Sequence, residues 1–328
     1  MRKRVLGKTG LEVSELGLGG AFVSKSGGEF DQSRAAVLRA LELGVNYIDT
    51  APTYSNSEET FGRILEDVRA PLIVSTKLGG RPQPFEPRNK DHLRRSIQES
   101  LRLLKRDRVD ILMVHEPDRF RQYDWWSDQE RFEGPVLEVL DDLKREGVIR
   151  FTGLGGTTAY ELPAIMATRR FDVVLTAFNY SLLWREAARE VLPLAHELGM
   201  GVILGSPLQQ GALARRYDQE VYDGAPWLSS PRRAQYKALY AFLDELGLPI
   251  AEVALRFVLS NPHVSCVLNG ARSAEEIESS VAAAEKGPLP AEVIAHLDVI
   301  AAMVPFRPFN EPFGLPFLRG KRNQVGIA

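Results

Sequence analysis

Gly44-Val45-Asn46-Tyr47-Ile48-Asp49-Thr50-Ala51-Pro52-Thr53-Tyr54 is the stretch that decides how the chain reads. The residues up to Gly44 close an apolar-periodic helix, with glycine as the stop signal. Residues 45–48 form a short run with β-branched and aromatic side chains, which predicts a strand. Asp49 stands where that strand ends, and Pro52 forbids further regular strand. Ser57, Glu58 and Glu59 then predict a helix start, because acids in a first turn complement the helix dipole. The order is helix, strand, loop, helix. It leaves a carboxylate at a strand end and a phenol, Tyr54, on the loop that follows. The pair reads equally well as a turn-capping aspartate beside a surface tyrosine or as part of a site.

Outward from this stretch, the same unit repeats. A small hairpin is expected around Lys8-Thr9-Gly10. Strands are predicted over 15–19, 45–48, 72–76, 109–114, 149–154, 173–176, 201–204 and 264–268. Helices are predicted over 32–43, 58–67, 90–104, 135–146, 159–168, 186–198, 232–246, 250–260 and 274–284, with a kink at Pro193. An extra helix over 291–303 and a Phe- and Pro-rich tail follow. Strands alternating with helices in this way imply parallel pairing through crossovers. Eight such units predict a closed (β/α)8 TIM barrel, with residues 1–328 as one domain. An open doubly wound sheet is the alternative, and it usually carries a glycine fingerprint after its first strand. Gly17-Leu18-Gly19-Gly20 has Phe22 where the last glycine is required, and Gly153-Leu154-Gly155-Gly156 has Thr158 there. Both read as strand-end turns that let a ligand approach the backbone.

Composition narrows the function class. The 328 residues carry a net charge of −2, which gives no pull toward nucleic acid or an anionic membrane. The single cysteine, Cys266, lies in an apolar run and reads as an inert buried thiol rather than a nucleophile. The five histidines show no ligand spacing, so no metal site is expected. The basic start Met1-Arg2-Lys3-Arg4 leads into no apolar region, and no apolar run reaches membrane-spanning length. A cytoplasmic protein acting on a small molecule is the expectation.

In such a barrel the site lies at the C-terminal strand ends. The polar residues expected there are Asp49, Tyr54, Lys77 and His115, from adjacent strands. Each alone has a structural explanation; together they form a working set. A tyrosine with a pKa near 10 is a poor proton donor at neutral pH, and a neighbouring ammonium lowers that value. The aspartate holds the lysine, and the histidine orients a substrate oxygen. This is proton transfer at a carbonyl or alcohol oxygen, which pairs with hydride transfer from a nicotinamide.

The chain resembles the aldo-keto reductase superfamily over almost its whole length. The resemblance is carried by Gly44 to Tyr54, Glu58-Glu59-Thr60-Phe61-Gly62, Val74-Ser75-Thr76-Lys77, the strand ending at Val114-His115, Gly205-Ser206-Pro207-Leu208 and Leu268-Asn269-Gly270-Ala271-Arg272-Ser273. It implies Tyr54 as general acid/base, tuned by Lys77 and Asp49, with His115 orienting substrate. It implies NAD or NADP across the rim, held by Gly19, Gly20, Asp49, Asn179, Ser206, Leu208, Gly270, Arg272, Glu276 and Ser280. Where the family commonly has Ser-Asn after its fifth strand, this chain has Gly155-Gly156. A family Gln after the sixth strand falls on Leu175 or Ala177, and a stacking aromatic after the seventh falls on Gly205. These departures are similar to the sugar 1-dehydrogenase branch acting on D-threo-aldoses, L-fucose or L-galactose. The run Ala177-Phe178-Asn179-Tyr180-Ser181-Leu182-Leu183 supports that placement, and Asn179 or backbone groups are expected to anchor the carboxamide. Pocket walls are expected from Phe22, Trp125, Trp126, Tyr222, Trp227, Phe306, Phe309 and Phe313. Glu276 with Glu275 at a helix start leans toward NAD, while Arg272 could pair with a 2′-phosphate. Two further readings stay open: a broad NADPH aldehyde/ketone reductase, and a cofactor-binding regulatory subunit.

Overall fold

A computed structural model describes residues 1–119, 122–225 and 228–306. The chain opens with an antiparallel pair, β1 (Lys3–Val5) and β2 (Glu12–Ser14), joined through a 3-10 turn at Gly7–Thr9. Then β3 (Leu16–Gly19), α1 (Phe30–Glu42), β4 (Tyr47–Asp49), α2 (Ser57–Ile64), β5 (Ile73–Leu78), α3 (Lys90–Leu104), β6 (Val109–His115), α4 (Pro135–Arg145) and β7 (Ile149–Gly156) alternate. The second half runs α5 (Leu162–Met166), β8 (Val173–Ala177), α6 (Val191–Glu197), β9 (Gly201–Gly205), α7 (Asp218–Tyr222), α8 (Ser230–Leu246), α9 (Ile250–Leu259), β10 (Cys266–Asn269), α10 (Ala274–Glu285) and α11 (Ala291–Ala302). β3 to β10 pair in parallel and close on themselves, β10 against β3. This is the expected (β/α)8 barrel with its N-terminal hairpin and extra helix; the tail beyond Phe306 lies outside the described residues.

Strand alternation divides the apolar residues into two cores. Tyr47, Ile111, Met113, Val173, Leu175, Ile203, Cys266 and Leu268 fill the barrel, and Leu6, Leu11 and Val13 of the hairpin close its lower end. Leu16, Leu18, Ile48, Val74, Leu112, Val114 and Leu154 face the other way and pack under the helices. Cys266 is fully buried inside the barrel, and burial pushes its thiol far up, as expected for an inert group.

Three boundaries differ from expectation in ways that matter. β5 continues to Leu78, so Lys77 lies within the strand rather than just after it. The expected kink at Pro193 is a break instead. A 3-10 turn at Glu186–Ala188 ends before α6, and Pro193 occupies the first turn of α6, where its missing N–H costs nothing. The loop after β9 holds α7, which has too few residues to show a periodic pattern.

Close packing of α2 on α3 explains one glycine. A Cβ on Gly62 would lie 1.9 Å from the Leu103 carbonyl oxygen, against backbone that cannot move aside cheaply. Gly62→Ala should therefore destabilise the fold by about 1–3 kcal/mol, read from urea unfolding. An unchanged midpoint would mean that the two helices separate freely.

Candidate active site

Register brings the polar set together. Asp49 pairs with Ser75, Lys77 with Met113 and His115 with Gly155. Tyr47 and Asp49, Ser75 and Lys77, and Met113 and His115 therefore share the inward face of neighbouring strands, with the polar members nearest the C-terminal mouth. The Lys77 ammonium donates to Asp49 Oδ2 at 2.7 Å and to the Thr50 carbonyl at 2.8 Å. Both side chains of the pair are at most 2% exposed. Asp49 Oδ1 accepts from the Ser75 hydroxyl at 2.7 Å, and that hydroxyl accepts from the Tyr47 phenol at 2.8 Å. The Lys77 nitrogen lies 4.7 Å from the centroid of the Tyr54 ring, and its charge pulls on the phenol. The Tyr54 and His115 rings meet edge to face, with centroids 5.8 Å apart. His115 Nδ1 lies 3.4 Å from the Thr53 hydroxyl.

The electrostatics correct one expectation. Burial raises the Tyr54 phenol above its ordinary value, and Lys77 only partly pulls it back. Burial also opposes the charge on Lys77, but Asp49 and Tyr54 outweigh it and hold the ammonium above its ordinary value. His115 is driven well below the usual imidazole range by burial, then by Lys77 and Arg119, so it is neutral at physiological pH. The mouth thus presents a protonated phenol, a fixed cation and a neutral imidazole.

Other expected contacts divide. Gly19 ends β3 at the mouth, where a Cβ would meet nothing closer than 3.5 Å, so the backbone is open to a ligand. Gly20 is filled by packing: a Cβ would come within 2.6 Å of the Ser57 hydroxyl and 2.7 Å of the Asp49 carbonyl. Asn179 is 2% exposed and spends its amide on Thr176 Oγ1 at 2.9 Å, so it clamps the loop after β8. Ser206 follows β9 with φ of 58°, and Leu208 is half-buried beyond it. Phe22 lies over Gly270, where a Cβ would meet its ring at 2.8 Å. Arg272 and Glu276 are not rivals but partners. The Arg272 backbone N–H donates to Glu276 Oε2 at 2.8 Å and its guanidinium to Oε1 at 3.1 Å. The Ser280 hydroxyl donates to the Glu276 carbonyl at 2.8 Å within α10.

Trp125 and Trp126, expected on the pocket wall, are 0% and 5% exposed. Their indole N–H groups donate to the carbonyls of His115 and Pro117, so they brace the loop from behind. Tyr222 is exposed under Lys237, and Phe306 is exposed under Arg189. Trp227, Phe309 and Phe313 lie outside the described residues. Among the described residues no cluster of histidine, cysteine and acids could hold a metal, and no helix is long and apolar enough to cross a membrane.

Sequence reading assigned no role to Asn269 or Asp118. Asn269 is a polar residue ending an apolar strand, and its Nδ2 is buried without a partner. An orphan donor at the mouth beside the open backbone of Gly19 fits a polar, elongated cofactor. Asp118 is 5% exposed and caps the backbone N–H groups of Thr157 and Thr158, while its Oδ1 has no partner. Burial pushes its carboxyl up to about 6, against those N–H bonds. The folded state therefore holds this proton more tightly than the unfolded chain. That contribution is present below pH ~4 and is lost as pH rises to about 6, roughly 3 kcal/mol in all. Asp118→Asn keeps an acceptor for both N–H groups and should raise the melting temperature at pH 7.5 but not at pH 3.5. Parallel melting curves for the two proteins across that range would refute the assignment.

With this geometry in view, the likeness to known proteins is specific. A sequence model described as the Aldo/keto reductase family matches residues 15–302. L-galactose dehydrogenase of Arabidopsis thaliana is 32% identical over 291 residues, 85% of this chain and 87% of that protein. NADH-specific methylglyoxal reductase of Escherichia coli (strain K12) is 28% identical over 316 residues, 86% of this chain and 93% of that one. Among solved structures, the holo form of an aldo-keto reductase from Bacillus halodurans superposes with a TM-score of 0.75 at 28% identity, covering 92% of this chain and 96% of its own. The chain belongs to the aldo/keto reductase family and is an NAD(P)-dependent oxidoreductase.

Proposed function

We propose that the chain interconverts the carbonyl and alcohol forms of a sugar or a related hydroxylated small molecule, with Tyr54 as the proton donor and acceptor. The observation that carries this reading is the buried Asp49–Lys77 pair against the Tyr54 ring, beside a neutral His115. The nicotinamide, when bound, gives or takes the hydride. Tyr54, kept protonated by burial, gives its proton to the carbonyl oxygen in reduction and takes it back in oxidation. Lys77 lowers the cost of the phenolate, and Asp49 keeps Lys77 charged. His115 donates to the substrate oxygen and fixes its direction. Gly19, Ser206, Leu208, Asn269 and Gly270 line the path for the cofactor from the mouth toward α10. Similarity to L-galactose dehydrogenase supports the sugar. Similarity to methylglyoxal reductase favours a second reading, reduction of short aldehydes. Cofactor turnover against a panel of aldoses and short aldehydes separates the two.

Tyr54→Phe should lower turnover by roughly two to four orders of magnitude, the span of general acid–base catalysis, while cofactor affinity by fluorescence titration stays the same. Lys77→Met should move the remaining alcohol oxidation to higher pH, because the phenol then loses the charge that pulls its pKa down. Retained turnover in the first variant, or an unmoved pH profile in the second, would rule out these roles.

The Arg272–Glu276 pairing supports a lean toward NAD. Glu276 draws the guanidinium to itself and leaves a carboxylate able to accept from a ribose 2′-hydroxyl. Wild type should bind NADH several-fold more tightly than NADPH, and Glu276→Arg should invert the order. Wild-type binding of NADPH more than tenfold tighter than NADH would overturn the lean.

A further inference from the structure

The loop after β6 returns across the end of β5 and sets a second phenol beside the mouth. Gly79 and Gly80, just past β5, have φ of 134° and 80°. A Cβ on Gly79 would lie 3.4 Å from both His115 Cβ and Tyr123 Cε2. One on Gly80 would lie 2.6 Å from Thr53 Cγ2 and 3.5 Å from the Tyr123 hydroxyl oxygen. The glycine pair thus lets Tyr123 settle between Thr53 and His115, the two residues that flank Tyr54. Its ring is wedged edge-on between Phe85 and Trp125, at centroid distances of 5.4 and 5.6 Å. Tyr123 is half-buried, and burial, then the charge of Glu116, holds its phenol above the ordinary value, so it is a donor.

Glu116 supplies the complementary acceptor. It follows His115 with φ of 47°, a conformation that a non-glycine residue adopts only at a cost of about 1–3 kcal/mol. The backbone is held there by its N–H bond to the Gly155 carbonyl at 2.6 Å. The carboxylate is steadied by Arg119 at 3.1 Å and by the Thr157 hydroxyl at 3.4 Å. Its negative charge is felt at both Tyr54 and Tyr123. Glu116, next in the chain to His115, and Tyr123, over Gly79 and Gly80, both border the end of the barrel that holds Tyr54; a carboxylate and a phenol there match vicinal hydroxyl groups and offer nothing to an apolar chain. The carboxylate also repels an anionic substrate.

We propose that Tyr123 and Glu116 read the substrate's hydroxyl groups next to the reacting carbon, which selects a neutral polyhydroxy substrate over apolar or anionic ones. This rests on the sugar reading above. The test is steady-state kinetics on the aldohexose that the panel identifies, its 2-deoxy analogue and its uronic acid. Losing one neutral hydrogen bond corresponds to roughly three- to tenfold in kcat/KM. Tyr123→Phe should lower the aldose-to-deoxy ratio of kcat/KM by that factor, mainly through KM. Glu116→Gln should relax the discrimination against the uronic acid by a similar factor. Far-UV circular dichroism establishes that each variant is folded, and either variant alone reads out the wall. A wild type inactive on every aldose overturns both readings. An active wild type whose two ratios stay within twofold in the folded variants overturns this inference alone.

Discussion

The buried ion pair between Asp49 and Lys77 is the constraint on which the site depends. Each charge is removed from water, and neither is tolerable there alone. The surroundings complete the pair. Ser75 and Tyr47 run a hydroxyl chain into Asp49, and the Thr50 carbonyl takes a second ammonium proton. All of these groups lie on β4, on β5 or at the start of the loop after β4, so the pairing of those two strands places the cation. From that point one charge favours proton loss at two neighbours. It eases the Tyr54 phenol toward its anion and drives the His115 imidazole toward the neutral form. A mobile surface lysine would do neither, because solvent would screen it.

The mouth is asymmetric around this pair. The β4 to β6 side is crowded with polar and aromatic groups, whereas the β7 to β9 side is built from small residues. Gly155 faces the Lys77 shaft, where a Cβ would lie 3.4 Å from Cε, and Ala177 pairs with Gly205 across β8 and β9. A larger residue at Gly156 would strike Leu162 and the Asp118 carboxylate within 2.8 Å. Proton chemistry and hydroxyl contacts therefore come from one half of the rim, and the other half leaves room for bulk.

Much of this was legible in the chain. Short β-branched and apolar runs alternating with apolar-periodic helices implied the barrel, and a polar residue at the end of such a run marked Asp49 and His115. What sequence could not carry was which face a loop residue turns. Trp125 and Trp126 read as wall residues because aromatics on a long loop are ambiguous; the structure turns both indoles inward onto backbone carbonyls. Tyr123, two residues earlier, drew no notice, since its place depends on Gly79 and Gly80 more than forty residues upstream. Arg272 and Glu276 read as competitors because their spacing, four apart at a helix start, says nothing of which side chain reaches first. Pairing resolves it.

Positive φ at side-chain-bearing residues gathers mostly at the same end of the molecule. Ser55, Glu116, Phe178, Ser206, Gln209 and Gln210 all have positive φ without being glycine, and all follow C-terminal strand ends. A glycine would adopt each conformation more cheaply but would bring no side chain. Residues with functional groups held in this region cost stability that the barrel supplies through its two apolar cores. At the opposite end the turns before β7 and β9 use Gly147 and Gly199, and the hairpin uses Gly10. Lys105 before β6 and Arg169 before β8 also take positive φ at this lower end, so the contrast is one of number: glycine serves most of the lower turns, and side-chain-bearing residues in this conformation gather at the upper end.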